Sequence, residues 1–592
     1  MFACTTALAA VVSFSTSLGG CAATEGSQCV TSDDCSPGLV CVHSGLQAGS
    51  GLCIDPDEDH GAPEPSFPSG PDWFSSSKDV DILFVIDNSG SMGEEQALLA
   101  SNFGSFISVL EAEDVEANYR IGITTSDNGN PWCPAGQTTP EGGKLVLSPC
   151  TTRLNDFLFN NGEENVQDLA CNDICTLSEA ELEILPTTTD VDANPSARPW
   201  LENIEGAKNI PQSTDSAEAF KCFAPQGING CGFESQLESM YLSLIRMQSS
   251  DEESYGFLRA SAILAIVILS DEADCSYNKD YAEIFDADGN KVFWSDPDSP
   301  FPSSAVCWNA GVECLGDPSG YDSCDPVNKD VNGTTGVSDD SAVLHPMSRY
   351  LGLLNGLEQE KQQLDAYQEV IVSLIGGVGS DGVPVYSDVG ASDPDFQGNF
   401  GIGPGCEAPG DPPVQAVPPV RMRQLVDEMT PGNMFSICEP DYSAALEAIA
   451  ERIRDQIRPA CYWECVEDTN PDTAIVEPQC IVEEDPPGSD NTIEIPECLR
   501  DDNGYVIDPS TNDYTFPTDG TNVCYAMLVD NGDDPLTPST ADDMAQECLD
   551  GNFNLEFKIH RRPGFPAAGG TSVSATCELA EFPDVTCPGI GG

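Results

Sequence analysis

Positive charge and histidine are what this chain has least of. Its 592 residues carry 23 Lys plus Arg and 4 His against 99 Asp plus Glu, a formal net charge of −76. Such a surface repels nucleic acid and anionic lipid headgroups, so neither is expected as a partner. The histidines (His43, His60, His345 and His560) are scattered. No H-E-x-x-H, G-x-S-x-G or P-loop pattern occurs, so the sequence offers no nucleophile–base pairing, and the chain is expected not to be an enzyme. Tryptophan is sparse, at 6 residues, and aromatics do not interleave with basic residues. No stretch approaches the ~20 unbroken apolar residues of a membrane-spanning helix.

Cysteine, by contrast, is plentiful, at 26 residues. Only Cys171-x3-Cys175 and Cys461-x3-Cys465 come near metal-ligand spacing, and no histidine clusters beside either, so the cysteines are expected to form disulfides in an oxidising compartment. Residues 1–20 are read as a signal peptide with a short apolar core at Ala7–Phe14. Leu18-Gly19-Gly20-Cys21 resembles a lipobox, which makes Cys21 the acylated first residue of a secreted outer-membrane or cell-surface lipoprotein. The usual basic segment before the apolar core is missing, and the alternative is an ordinary signal peptide cleaved nearby. Setting aside Cys4 and Cys21 leaves 24 cysteines, an even number that suits a fully oxidised chain.

The richest stretch is Ile82-Leu-Phe-Val-Ile-Asp-Asn-Ser-Gly-Ser-Met92. Its apolar run does not alternate, as expected of a strand covered on both faces. The strand ends on Asp87, and Ser89 and Ser91 follow at every second position of a tight loop. That spacing can turn three oxygens into one small volume, as a hard divalent cation requires. A helix is expected over 94–110. Ser91-Met92-Gly93-Glu94 also reads as a capping box, which needs no metal. A second buried-strand pattern, Ala262–Ser270, is followed directly by Asp271, with Glu272 and Asp274 nearby.

At these residues the chain resembles the von Willebrand factor A (vWA) family, whose metal-ion-dependent adhesion site is written D-x-S-x-S. The resemblance covers Asp87, Ser89, Gly90, Ser91 and Met92, and Asp271 matches the aspartate that reaches the metal, usually through water. It implies a doubly wound, mostly parallel α/β sheet and a Mg²⁺ or Ca²⁺ ion held by Asp87, Ser89, Ser91 and Asp271. The family's second loop normally supplies a threonine. The matching segment here, Gly230-Cys231-Gly232-Phe233-Glu234-Ser235, has none; Glu234 or Ser235 can stand in, or water. A direct Glu234 carboxylate leaves the ion less electropositive toward an acidic partner residue.

The expected organisation is a four-cysteine module at 21–54, an acidic, proline-containing linker at 55–76, the vWA-like domain at 77–459 and a cysteine-rich β region at 460–592. Insertions into the vWA-like domain are expected at about 126–229 and 275–344. Gly143–Leu147 is expected to pair with the Tyr119–Thr125 strand as an edge hairpin. Local disulfides are expected between Cys133 and Cys150 and between Cys222 and Cys231. Asp286–Asn290 resembles a fragment of a calcium loop but lacks the later ligands, so it is read as a turn. The implied function is a surface-anchored adhesion protein whose cation takes a protein ligand's oxygen, often a carboxylate, with membrane contact only through the lipid. The rival is a secreted hydrolase, or a regulatory subunit of one, with the vWA-like domain as scaffold.

Overall fold

The computed structural model describes residue 78 onward with short interruptions, the longest at 530–543 and 563–571; before residue 78 it describes the backbone of four short strands. The chain divides into two compact units, Met1–Ser69 and Gly70–Gly592. In the first, Gln28–Cys29, Val40–His43 and Gly51–Ile54 make an antiparallel sheet with Gly51–Ile54 in the middle. The signal segment, Cys21 and the four-cysteine module's bridges lie outside the described residues.

The second unit is built on a seven-stranded sheet. Its strands are β1 (Asp79–Ile86), β2 (Asn118–Thr125), β3 (Leu201–Ile204), β4 (Ala207–Lys208), β5 (Ile263–Leu269), β6 (Val370–Gly376) and β7 (Met434–Ser436). They lie in the order β4-β3-β2-β1-β5-β6-β7. β2, β1, β5, β6 and β7 run parallel, and β3 and β4 close one edge antiparallel. The fold is thus mixed α/β around a mostly parallel sheet.

Helices cover both faces, which explains why β1 and β5 are apolar without alternation. Ile82, Phe84 and Ile86 face one core, under α1 (Gly93–Leu110), α2 (Ser216–Phe223) and α6 (Ser443–Arg454). Leu83 and Val85 face the other, under α3 (Gln236–Met247), α4 (Met347–Gln362) and α5 (Val420–Met429). Phe84 anchors the first core, with its ring 5.9 Å from Phe103 and 5.3 Å from Phe220. No described helix is long and apolar enough to cross a membrane.

Three sequence expectations need correction. The partner of β2 at the sheet edge is β3, not Gly143–Leu147. The latter contributes one ladder-like bond, Val146 N–H to the Ile123 carbonyl at 2.7 Å, because Gly142 and Gly143 both take positive φ and turn the chain away. The disulfide partners also differ. Cys133 joins Cys231, Cys150 joins Cys171 and Cys175 joins Cys222. Cys171 in the 168–172 turn and Cys222 on α2 take Cys150 and Cys175, which leaves Cys133 to Cys231. Finally, within the stretch read as linker, Asp72–Phe74 forms a strand that pairs with Ser572–Cys577.

The 460–592 region is β-rich. Ala460–Cys461, Glu556–Arg561 and Val523–Leu528 form one sheet; Ile493–Ile495, Cys480–Asp485, Ser572–Cys577 and Asp72–Phe74 form another. All twenty described cysteine side chains, Cys133 to Cys587, sit in ten disulfides. The two C-x3-C spacings are therefore taken up by bridges, Cys461–Cys548 and Cys465–Cys587 among them. Such cross-linking fits an extracellular or cell-surface protein.

Candidate metal-binding site

The parallel register decides where the site forms. Ile86 pairs with Leu269 on one side and Thr125 on the other, so β1, β2 and β5 end level. The next residues, Ser126, Asp87 and Ser270, therefore stand abreast beyond the carboxyl edge, where open α/β sheets present their ligand loops. Asp87 is fully buried and accepts from three donors: Ser89 N–H at 2.9 Å and Ser126 Oγ at 3.3 Å on Oδ1, and Ser270 Oγ at 2.6 Å on Oδ2. Its pKa is nevertheless raised, because burial outweighs those bonds.

The loop after Asp87 is held from below by Gln96. Its amide donates to the Asp87 and Gly227 carbonyls (2.7 and 2.8 Å), while its oxygen accepts from Gln226 and Gly227 N–H. Ser89 and Ser91 bring their hydroxyls to 3.3 Å of one another. Met92 occupies the N-cap of α1 and no side chain caps it, so the capping-box bond is not formed and Ser91 is left at the mouth of the site.

The second loop docks tightly on the first. Gly230 N–H donates to the Asn88 carbonyl, and a Cβ on Gly230 would lie 2.3 Å from Asn88 Oδ1, so only glycine fits. The Cys133–Cys231 bridge and the Ser235 N–H to Ser126 carbonyl bond hold the loop against β2's end. It delivers Glu234, which is fully buried, its carboxyl meeting no donor but the neighbouring Glu272 carboxyl. Ser235 turns elsewhere, donating to the Cys275 carbonyl. Where a threonine is expected, the chain places a buried carboxyl beside Glu272.

The third loop brings Asp271 and Glu272, both buried. Asp271 Oδ1 has no hydrogen-bond partner, and Ser91 lies beside the carboxyl. Asp274 does not join them. It accepts from Leu237 N–H at the start of α3 and pairs with buried Arg421 at 2.8 Å. Sequence reasoning missed three members. Ser126 and Ser270 carry Asp87, a role legible only once the register is known. Glu95, one turn into α1, is buried with Oε2 unpartnered; its acidic character beside a buried helix face was the available signal.

Four acids thus surround Asp87 with no cation among them. Burial, then the charges of Glu272, Asp87 and Asp271, push the Glu234 carboxyl well above its usual range. Burial, then Asp87, Glu272 and Glu95, does the same to Asp271. Glu272 is pushed up to about 8 by burial and Asp87, and Glu95 to about 7 chiefly by burial. Among the described residues, no three His, Cys, Asp or Glu side chains stand close enough to hold a metal by themselves. The donor set instead mixes hydroxyls with carboxylates. All its donors are hard oxygens, and buried Asp271 Oδ1 lacks any partner, so the residues fit a hard divalent cation.

Both insertions reach the site. Phe159 lies on Gly90, where a Cβ would sit 3.1 Å from its ring, and Val166 packs on Gly93. From the other side Ser304 Oγ donates to the Gly232 carbonyl at 3.0 Å, and Phe233 meets Phe285 edge-on at 5.1 Å. The Asp286–Asn290 segment is a turn: Asp286 Oδ1 accepts from Asp288 N–H and its carbonyl from Gly289 N–H.

No family model matches the chain, and neither does any curated protein. Among solved structures the pilus adhesin SpaC of Lactobacillus rhamnosus GG matches in two crystal structures, one an open conformation, at 9% identity over 86% of this chain. The matches cover 40% and 53% of the adhesin chain, so this protein spans about half its length, and the TM-scores are 0.22 and 0.24. Likeness that slight carries no inference about fold or function.

Proposed function

We propose that this protein is an extracellular, surface-anchored binding protein with a vWA-type cation site at the carboxyl edge of its parallel sheet. The observation that carries the reading is Glu234, a fully buried carboxyl set against Glu272 and close to Asp87 and Asp271. Carboxyls buried this closely cannot all carry charge unless a cation stands among them, and a divalent cation is the partner that allows it. Asp87, Ser89 and Ser91 would hold the ion directly, Asp271 and Glu234 would reach it through water, and Ser126 and Ser270 would fix Asp87. When bound, a Mg²⁺ or Ca²⁺ ion supplies a Lewis-acidic point that an external oxygen can approach.

Access lies on the Ser91 side. Asp87, Ser89 and Glu234 are sealed in, whereas Ser91 is exposed. Phe159, 39% exposed, stands next to that opening and gives it one apolar wall. The ligand is a protein that offers an oxygen, typically a carboxylate, at this opening. Its surrounding surface is basic, since a −76 chain slows the approach of acidic partners. Anchoring is through acylated Cys21.

The test is a pull-down from the producing cell's surroundings with divalent cation, with EDTA, and with Asp87→Ala. Capture should need both the cation and Asp87. A partner held equally by the alanine variant would place binding on the insertions or the 460–592 region instead.

A further inference from the structure

Exposed Phe and Trp side chains are few on this surface. Among the described residues there are three, Trp132 at 38%, Phe159 at 39% and Phe301 at 61% exposure. All three belong to segments that touch the carboxyl-edge loops. Phe159 rests on Gly90, beside exposed Ser91. Trp132 precedes Cys133, which is bridged to Cys231 of the second loop. Phe301 stands three residues before Ser304, whose hydroxyl donates to the Gly232 carbonyl at 3.0 Å. Gly230 closes the set by donating to the Asn88 carbonyl of the first loop. Residues 230–232 span at most about 10 Å of chain, so contacts from both insertions converge on one short stretch.

Single exposed Leu or Val side chains are ordinary on a protein surface, whereas gathered aromatics mark interfaces. Two of the three are also held in place. The Trp132 indole N–H donates to the Phe285 carbonyl, and the Phe159 ring lies against Gly90. Side chains fixed in this way lose little freedom when a partner lands on them. The charge around them has one sign. Glu163 and Glu164 follow Phe159, Asp296 and Asp298 precede Phe301, and all four are exposed. Across residues 156–168 and 281–304 the one basic residue is Lys291. Its ammonium is already engaged, donating to the Pro297 and Ser299 carbonyls and lying 4.5 Å from the Trp294 ring centroid.

Aromatic faces beside solvated carboxylates suit one side-chain chemistry above others. A guanidinium is planar and weakly hydrated, stacks on an aromatic ring, and still offers N–H donors to the acids around it. An ammonium is compact and holds its water more strongly, so it gains less from the same faces. We infer that Trp132, Phe159 and Phe301 form a rim that takes arginine side chains of a protein partner at this edge. The inference rests on the reading of this edge as the binding face, but the rim itself needs no ion.

The test titrates full-length protein, in EDTA and at about 150 mM salt to screen long-range attraction. The probes are short fluorescent peptides of arginine, of lysine and of citrulline, the last a neutral stand-in for arginine. Anisotropy should show the arginine peptide binding about threefold or more tighter than the lysine peptide, with citrulline weakest. The net charge of −76 attracts the two cationic peptides alike, so it cannot produce that difference. Trp132→Ala, Phe159→Ala and Phe301→Ala should each weaken the arginine peptide about threefold to tenfold and bring the arginine-to-lysine ratio toward one. Leu579→Ala, at a side chain 48% exposed in the 460–592 region, should change nothing. Near-UV circular dichroism checks that each variant is packed, and three separate positions guard against a folding defect at one. Equal binding of the arginine and lysine peptides by the wild type overturns the inference. So do rim variants that keep the wild-type ratio. Neither result touches the cation reading, since no ion is present; that reading fails separately if capture in the pull-down survives Asp87→Ala.

Discussion

Ser270 Oγ donates to Asp87 Oδ2 at 2.6 Å, the shortest of the three bonds that carry that carboxylate. The two residues are 183 apart in sequence and meet only because β1 and β5 end level in the sheet. Gln236 Nε2 donates in turn to Ser270 Oγ at 2.7 Å, so the start of α3 is tied to the same point. A chain of buried donors thus fixes Asp87 before any cation arrives. Ser270→Ala should leave the fold intact, cost about 1–2 kcal/mol through the buried donor it removes, and weaken cation affinity about tenfold. Urea midpoints with and without cation separate the two effects. Equal cation response in variant and wild type would show that Asp87 needs no such support.

Asp87→Ala tests the site more directly. In the wild type the melting temperature should climb with the logarithm of free Ca²⁺ above its dissociation constant, as linkage requires. The variant should lose that slope. Because the chain carries −76, any salt raises stability somewhat by screening. Matched ionic strength with NaCl is the control. A slope that survives in the variant would assign the whole effect to screening.

Much of this was legible in the sequence. β1 and β5 announce themselves as apolar runs because both of their faces are covered; Asp87 directly follows the first run, and Asp271 follows the second after Ser270. The helix expected over 94–110 is α1, Gly93–Leu110. What pattern cannot supply is register and long-range connection. Ser126 and Ser270 look like ordinary loop serines until the strands are aligned. The disulfides are the clearest case: Cys133 reaches across 98 residues to Cys231, passing over Cys150, which is nearer in the chain. β3 was hidden because Leu-Glu-Asn-Ile is only four residues long and half polar, too short for a pattern to show.

The Cys133–Cys231 bridge should therefore matter to the site as well as to stability. Replacing both cysteines with alanine should cost about 4–5 kcal/mol on the loop-entropy account, given the 98-residue separation. It should also lower cation affinity, since the bridge holds the loop that carries Glu234. Peptide mapping of the unreduced protein should recover Cys133–Cys231, Cys150–Cys171 and Cys175–Cys222 as linked pairs. A Cys133–Cys150 peptide would contradict this arrangement.

Lys361 gives a pH prediction far from the site. Its ammonium is buried on α4 and donates to the Arg259 and Ala262 carbonyls at 3.0 and 2.5 Å. Burial lowers its pKa to about 8, with Asp81 opposing and Arg259 reinforcing the shift. A base whose folded pKa lies below its unfolded value of about 10.4 destabilises the fold most when both states are protonated, that is below pH 8. Between about pH 8 and 10.4 the folded state sheds its proton first, so stability from this group rises with pH. Lys361→Met removes the titration while keeping the volume. The stability of wild type relative to the variant should therefore rise across that window by up to about 3 kcal/mol, measured as paired urea midpoints. A difference that stays flat from pH 7 to 10.5 would show that Lys361 keeps a normal pKa.

Gly230→Ala is the sharpest test of how the loops are assembled. The added Cβ would fall 2.3 Å from Asn88 Oδ1 and 2.6 Å from the Asn88 carbonyl oxygen, too close for either to remain. One of these atoms is backbone, so a side-chain rotation cannot relieve the clash. Either the first loop shifts and Ser89 moves with it, or the second loop lifts and Glu234 leaves the Asp87 side. The expected outcome is a loss of about 1–3 kcal/mol in stability together with a marked loss of cation affinity. Asn88→Ala in the same background removes Oδ1 but leaves the carbonyl, and should rescue only part of both. Full rescue would mean that the side-chain oxygen alone sets the spacing of the two loops. No effect of Gly230→Ala on cation affinity would mean that the loops do not close on a common ion.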